Sequence, residues 1–229
     1  MGSLKTEKIL DLIYPDNLYC CVCGDLINSS RIHGLCDSCI EKIDWTLDDP
    51  FKFSLDEFSF SGVFTCCTYG FFPRKIIHSL KLSKETYIAK GIGKLMGERV
   101  LQEDITFDCM IAVPSGKKNL KKRGFNQAEL LAEYASKECG IPLLKENLFK
   151  KSETKSMRLS SGTERRFMLS GAFDVKEPWK IKDKCILLVD DVVTTGSTAE
   201  ECSRTLLENG ASKVYVLCFA ATSRYDIIN

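Results

Sequence analysis

The sequence predicts an α/β fold, in which a mostly parallel, doubly wound sheet carries a small zinc ribbon at its N-terminal end. Strand-like and helix-like segments alternate between residues 58 and 220, which is typical of β-α-β connections. The run 185–189 is continuously apolar, as expected of a central parallel strand that is buried on both faces. Near the N-terminus, four cysteines form two C-x2-C pairs, which predict the ribbon.

The remaining elements follow in order along the chain. Residues 1–50 are expected to form the ribbon, 45–57 an acidic linker, and 51–229 the larger domain. Residues 58–69 are aromatic and β-branched, which predicts two short strands or a hairpin. Apolar periodicity then predicts helices over 73–82, 87–102, 125–138 and 196–209, and strands over 107–113, 143–149 and 214–220.

Composition and charge narrow the class of protein. The chain has 229 residues, of which 44% are apolar and 28% charged, with a net charge of +1; this composition is ordinary for a globular protein. No apolar run approaches the ~18 residues of a membrane span, and no signal-peptide pattern is present, so we expect a cytoplasmic protein. Residues 1–50 have a net charge of −5, and residues 115–166 have a net charge of +7. This concentration of positive charge favours one local anionic partner.

The N-terminal cysteines have the spacing of a structural zinc site. Two C-x2-C pairs, twelve residues apart, can supply four thiolates to one tetrahedral ion. We assign the ligands as Cys20, Cys23, Cys36 and Cys39. Cys21 has the wrong spacing and is a bystander, while His33 as a ligand and unrelated buried cysteines remain as alternatives. The site is closed, which predicts a structural or docking role, and the negative charge of this segment disfavours nucleic-acid binding.

The strongest chemical pattern follows the buried strand. Asp190 and Asp191 come first, and the turn Thr194-Thr195-Gly196-Ser197-Thr198 then leads into a predicted helix. A turn rich in glycine and hydroxyl groups at a helix N-terminus offers backbone N–H groups to a phosphate. Carboxylates cannot bind that phosphate, but they suit sugar hydroxyls or a Mg²⁺ ion, so a phosphorylated ribose matches both features. The alternative is a metal-binding Asp pair beside an ordinary N-cap turn.

The thirteen residues 186–198 resemble the phosphoribosyl pyrophosphate (PRPP) signature of type I phosphoribosyltransferases. The whole chain resembles the ComF/ComFC family, whose members are phosphoribosyltransferase-like proteins with an N-terminal zinc ribbon. Besides the signature and the ribbon cysteines, this resemblance is carried by Tyr69-Gly70, Leu80-Lys81, Val113-Pro114, Arg123-Gly124-Phe125-Asn126-Gln127-Ala128 and Gly171-Ala172-Phe173. It implies a type I phosphoribosyltransferase-like fold.

The resemblance also implies roles for individual residues. Asp190 and Asp191 would hold the ribose 2′ and 3′ hydroxyls, and the turn 194–198 would bind the 5′-phosphate through Thr194, Thr195, Gly196, Ser197 and Thr198. A pyrophosphate loop, with Mg²⁺ bridging, would consist of Pro114, Ser115, Gly116 and Lys117. The cations of 117–123 would form a mobile hood. The candidate catalytic residues are therefore Asp190, Asp191, Lys117 and Arg123.

The chain departs from the family pattern on the acceptor side. Met157, Arg165 and Met168 occupy positions where the family often has Gln and then Arg-x-x-Asn, and Asn119 stands where it often has Arg. Purine-salvage enzymes carry a carboxylate at the first position of the phosphate turn, where this chain has Thr194. Purine salvage is therefore disfavoured, and the acceptor stays open.

Three functions fit these patterns. The protein could transfer a phosphoribosyl group from PRPP to an acceptor, or it could sense PRPP or a phosphoribosyl-containing nucleotide without turnover. It could also be an accessory in DNA uptake that contacts single-stranded DNA or a competence helicase. The basic segment suits either anion, but only Phe125, Tyr134 and Phe149 could stack on bases near it, so the sequence favours PRPP.

Overall fold

The computed structural model describes residues 19–20, 22–27, 34–46, 48–50, 55–82, 87–151 and 171–222. Its strands are β1 (Val63–Thr68), β2 (Cys109–Ala112), β3 (Leu148–Lys150), β4 (Phe173–Val175), β5 (Cys185–Val193) and β6 (Lys213–Ala221). Its helices are α1 (Asp37–Ile40), α2 (Phe71–Leu82), α3 (Tyr87–Leu101), α4 (Lys117–Arg123), α5 (Gln127–Cys139) and α6 (Ser197–Glu208). One-turn 3-10 helices span Leu55–Glu57 and Pro178–Lys180. Within these ranges no helix has the length and hydropathy needed to cross a membrane.

The principal sheet has four parallel strands in the order β1-β6-β5-β2. β5 therefore pairs on both sides, with Leu188 opposite Ile111 of β2 and opposite Val216 of β6. Ile186 through Val189 are fully buried, which explains the continuous apolar run. The predicted parallel α/β sheet is confirmed.

Both faces of the sheet are covered. On one face, the buried side chains of α2, α3 and α5 pack on Leu187, Val189 and Leu217. On the other, α6 and the β3–β4 pair pack on Ile186 and Leu188. Successive residues of a strand point to opposite faces, so β5 supplies both clusters. The doubly wound arrangement follows from this alternation.

Two predicted strand segments differ from the structure. Residues 58–69 contain the single strand β1, because Ser59 donates its N–H and hydroxyl to Glu200 of α6 and leaves the sheet. In 143–149, Leu143 makes only an isolated parallel bridge to Met110. The chain then turns through Glu146 at φ 57°, and β3 pairs antiparallel with β4 in a separate two-stranded sheet.

Glycines on α3 allow α5 to approach closely. A Cβ on Gly93 would lie 2.4 Å from Cβ of Tyr134, and a Cβ on Gly97 would lie 2.6 Å from Cβ of Glu138. Real Cβ atoms do not approach so closely, so the two positions require glycine. The Gly-rich stretch of this helix therefore serves helix packing.

The ribbon shares its core with the larger domain. Cys20, Leu35 and Cys39 belong to the same buried apolar cluster as Ile76 and Leu80 of α2. The backbone continues this contact, because the Thr46 N–H donates to the Cys66 carbonyl at 3.2 Å and the Thr68 N–H donates to the Asp44 carbonyl at 2.8 Å. Among the described residues, the ribbon therefore has no core separate from that of the sheet. The boundary near residue 50 stays a prediction.

Loss of the metal ligands should consequently weaken the whole fold. We expect Cys36→Ser to lower the free energy of unfolding by more than about 2 kcal/mol, with the sheet and the ribbon unfolding together, because they share one apolar cluster. Urea unfolding followed by near- and far-UV circular dichroism measures this. Cys185→Ser, at a half-buried cysteine outside the cluster of four, is the control. A separate ribbon transition that left the sheet midpoint unchanged would contradict the shared core.

Candidate functional site

The four predicted metal ligands come together in the structure. The sulfur atoms of Cys20, Cys23, Cys36 and Cys39 all lie within 4.8 Å of one another, and the Cys23 and Cys36 sulfurs are 3.6 Å apart. A tetrahedral zinc with Zn–S bonds near 2.3 Å places its sulfurs ~3.8 Å apart. The donor set and its size therefore fit a structural zinc ion. Cys21 and His33 lie outside the described residues.

The protein environment favours one thiolate and disfavours its neighbour. Burial opposes ionisation of Cys20, but backbone N–H groups of Cys23, Cys36 and Val22 point at its sulfur and lower its pKa to about 7. The Asp25 N–H favours the Cys23 thiolate, but burial and the neighbouring sulfurs outweigh it and raise the pKa of Cys23 to about 11. Four adjacent thiolates therefore require a cation to coexist.

The remaining predicted residues lie where the strands of the sheet end. The Val113 N–H donates to the Val189 carbonyl at 2.8 Å, so the loop that follows β2 leaves the sheet beside Asp190. On the other side, the Thr222 N–H donates to the Val193 carbonyl at 2.9 Å. Open parallel sheets bind ligands at this carboxyl edge.

The predicted phosphate turn connects β5 to α6. Gly196 has φ 75°, a left-handed conformation that favours glycine, and it precedes Ser197 without a side-chain N-cap. The Thr195 and Ser197 hydroxyl oxygens are 2.9 Å apart. Together with Asp190, residues 192–199 line a cavity of about 80 Å³. That volume is roughly the share of two or three water molecules, which suits one tetrahedral anion at an uncapped helix N-terminus.

The two adjacent carboxylates have different neighbours. Both lie within β5, which continues to Val193, so alternation directs their side chains to opposite faces. Asp190 borders the small cavity, and its Oδ1 accepts the Asp191 N–H at 2.8 Å. On the face of α2, the Asp191 carboxylate forms an ion pair with Nζ of Lys81. Sequence analysis quoted Lys81 only as part of the Leu80-Lys81 pair that carries the family resemblance, and assigned it no role at the site.

Burial and charge alter the ionisation of Asp190. Desolvation, followed by the adjacent Asp191 carboxylate, raises the pKa of Asp190 well above its usual range. The Asp191 N–H and the Lys81 ammonium oppose this rise only in part. Such a carboxylate is costly for the fold, as is typical of ligand-binding sites.

Asn126 fixes the predicted pyrophosphate loop. Its Nδ2 donates to the Val113 carbonyl at 3.0 Å, and its Oδ1 accepts the Ser115 hydroxyl at 2.9 Å. The residue before the loop 114–116 and the middle residue of the loop are thus tied to Asn126, the N-cap residue of α5. Sequence reasoning quoted Asn126 as part of a family motif and missed this role.

The predicted mobile hood is a helix. Residues 117–123 form α4, whose end is closed by Gly124 at φ 86° with its N–H bonded to the Leu120 carbonyl at 2.7 Å. Lysine and arginine are good helix formers, and three cations in the last turn interact favourably with the helix dipole. Arg123 donates to Gln127 Oε1 at 2.8 Å, so this candidate catalytic residue binds its neighbouring helix.

A larger cavity of about 670 Å³ lies beside the same loop. Its lining includes Pro114, Ser115, Gly116, Lys117, Leu120, Glu129, Leu144, Lys145, Phe149, Lys150 and Lys151. Of the predicted catalytic residues, Lys117 borders this cavity and Asp190 borders the smaller one. Met157, Arg165 and Met168 lie outside the described residues, so the acceptor side stays a prediction.

Comparison with known sequences finds competence and DNA-utilization proteins. The chain is 34% identical to DNA utilization protein YhgH of Escherichia coli O157:H7 over 152 residues, which is 64% of this chain and 66% of that protein. It is 29% identical to Competence protein F of Haemophilus influenzae over 147 residues, 62% of this chain and 64% of the relative. It is 26% identical to Competence protein ComFC of Bacillus subtilis over 231 residues, which is 90% of this chain and 84% of that protein. The matches to the first two relatives thus span just under two thirds of their lengths. No protein-family model matches the chain.

Comparison with solved structures finds proteins of PRPP metabolism. Glutamine PRPP amidotransferase from B. subtilis matches 56% of this chain and 25% of its own, with 19% identity and a TM-score of 0.39. The match to purine phosphoribosyltransferase from Pyrococcus horikoshii covers 59% of this chain and 74% of that protein, with 19% identity and a TM-score of 0.34.

The raised pKa of Asp190 predicts a pH-dependent cost to stability. A proton binds this carboxyl more tightly in the folded state, so its contribution to the free energy of unfolding falls as pH rises from ~4, the usual aspartate pKa, through the raised value. We expect Asp190→Asn to be more stable than the parent at pH 8, with the difference closing at pH 4. Urea midpoints at both pH values measure this. Asp174→Asn, at an exposed carboxylate whose pKa Lys151 lowers, should show no such gain, and a parent-like Asp190→Asn at pH 8 would contradict the argument.

Proposed function

Since the chain belongs to the ComF/ComFC family, we propose that it binds PRPP, with its Mg²⁺, at the carboxyl edge of its sheet. The observation that carries this proposal is the cavity in which Asp190 faces the uncapped N-terminus of α6. A carboxylate and an anion-binding helix end in one small cavity suit a ligand that has both hydroxyl groups and a phosphate.

The neighbouring loop would hold the second charged part of PRPP. It lies beside Asp190 through the β2–β5 pairing and is fixed by Asn126. The space beside Gly116 is open, since a Cβ built there would meet no atom within 4 Å. Because glycine has no side chain, an anion in that space could approach the backbone closely. The Lys117 side chain is exposed at the start of α4 and would supply a cation to the pyrophosphate, whose remaining charge Mg²⁺ would neutralise.

Binding would be followed by transfer of the phosphoribosyl group to an acceptor, or by sensing without turnover. In a transfer, the residues of this edge would act by positioning and electrostatic stabilisation, because the bond to pyrophosphate breaks with little covalent help from the protein. The structure offers the same groups for a sensor, and the acceptor is what distinguishes the two.

Removing both carboxylates tests the sugar site. We expect Asp190→Asn with Asp191→Asn to weaken PRPP·Mg²⁺ binding by tenfold or more, since a hydrogen bond to a charged group contributes about 1.5 kcal/mol or more. Isothermal titration calorimetry measures the affinity, and circular dichroism checks the fold. Asp104→Asn with Asp183→Asn removes the same charge at exposed sites that precede β2 and β5, and should bind as the parent does. Equal affinity of the site variant and the parent would refute the assignment.

A nucleic acid is the second candidate ligand, and the larger cavity favours it. Phe149 is 39% exposed in its lining, with Lys117, Lys145, Lys150 and Lys151 around it. An aromatic side chain among cations is the chemistry that stacks and neutralises single strands. Two of these cations already have carboxylate partners, since Lys145 pairs with Glu133 and Lys151 with Asp174.

The exposed lysines of α4 distinguish the two ligands. If they serve PRPP, Lys121→Gln with Lys122→Gln should weaken PRPP binding and leave affinity for a single-stranded oligonucleotide unchanged. If they serve nucleic acid, the same change should lower oligonucleotide affinity and reduce its salt slope by about 0.7 for each lost contact. Titrations of both ligands over a range of salt measure this.

The matched control for that experiment is Lys182→Gln with Lys213→Gln. Both lysines are exposed at the amino ends of β5 and β6, so the control loses the same charge away from the carboxyl edge. Unchanged binding of both ligands by the α4 variant would contradict a ligand role for this helix.

A further inference from the structure

Lys81 reaches across the sheet to a nearly buried carboxylate. α2 follows β1, whereas Asp191 belongs to β5, and β6 lies between these two strands. The Lys81 side chain is 29% exposed and the Asp191 side chain 11% exposed. Removing one partner of such a shielded ion pair is costly, because it leaves a charge that the fold cannot solvate.

The helix that carries Lys81 is packed into the core. Ile76, Ile77 and Leu80 of the same helix are buried in the apolar cluster that includes the ribbon cysteines Cys20 and Cys39. Lys81 lies in the last turn of α2, where the helix dipole favours a cation. The ammonium therefore has a defined position relative to β5.

The contact leaves Asp191 able to accept further hydrogen bonds. Lys81 contacts Oδ2, and a carboxylate has about four acceptor positions on its two oxygens. A carboxylate that is oriented by one cation and placed at the carboxyl edge can still accept a ligand hydroxyl. The ion pair thus prepares Asp191 for binding.

We propose that Lys81 is a positioning residue for the sugar site, which holds the Asp191 carboxylate in place and acts on the ligand through that carboxylate. This inference rests on the proposed binding of PRPP. It assigns a function to the helix that follows β1, and it makes the ribbon part of the support of the site, because the ribbon packs on the same helix.

A double-mutant cycle on Lys81 and Asp191 tests the inference. We expect Lys81→Met to weaken PRPP·Mg²⁺ binding by roughly tenfold, the effect expected when a misplaced Asp191 carboxylate loses one hydrogen bond to the ligand. In an Asp191→Asn background the same change should have no further effect on the affinity, because Lys81 then has no carboxylate to position. Lys81→Arg, which keeps the cation, should retain most of the affinity. Lys75→Met removes an exposed lysine from the same helix and should bind as the parent does.

Calorimetry with PRPP and Mg²⁺ gives the affinities, and urea unfolding of each variant separates stability from binding. A stable Lys81→Met with parent-like affinity would overturn the inference while leaving PRPP binding intact. An equal loss in the parent and Asp191→Asn backgrounds would also overturn it, since Lys81 would then contact the ligand directly. If Lys81→Met does not fold, Lys81→Gln, which loses the cation but keeps hydrogen-bond donors beside Asp191, is compared in the two backgrounds: a loss of affinity that disappears with Asp191→Asn supports positioning, and an equal loss or none refutes it. A parent that binds no PRPP would refute the proposed function and this inference together.

Discussion

The parallel ladder between β5 and its two neighbours is the interaction on which the candidate site depends. Its register sets Val189 beside Ala112 on one side and Leu217 on the other. The carboxyl ends of parallel strands lie at the same edge of a sheet, so the residues that follow Ala112, Val189 and Leu217 lie close together at that edge. The loop after β2, the carboxylates and the phosphate turn are therefore neighbours although some seventy residues separate the first from the others along the chain.

Alternation along β5 divides the site between the two faces of the sheet. Asp190 belongs to the face of Ile186 and Leu188, which α6 covers, and Asp191 to the face of Leu187 and Val189, which α2, α3 and α5 cover. One carboxylate thus borders the same cavity as the turn 194–198, and the other pairs with Lys81. The site joins both halves of the core, and the ribbon contributes by packing on the Lys81 helix.

The two cavities have linings that suit two different kinds of anionic ligand. The small one has backbone amides and hydroxyl groups around Asp190, which suit a compact phosphorylated sugar. The larger one has an exposed aromatic ring and lysines, which suit a larger ligand. The 114–117 loop lies beside the first and lines the second, so a ligand in either cavity would contact the element that Asn126 fixes.

Local patterns in the sequence determined most of the secondary-structure elements and the four cysteines of the ribbon cluster. The apolar run at 185–189 identified the central strand because burial on both faces excludes polar residues, and the C-x2-C spacing identified the metal cluster because it is itself local. Only the tertiary structure decided what depends on distant contacts: the Lys81–Asp191 pair across β6, the glycine-mediated packing of α3 on α5, and the core shared by ribbon and sheet. The segment 117–123, which the family resemblance predicts as a mobile hood, is a helix, because helix propensity, the helix dipole and the Gly124 cap outweigh the repulsion between its like charges.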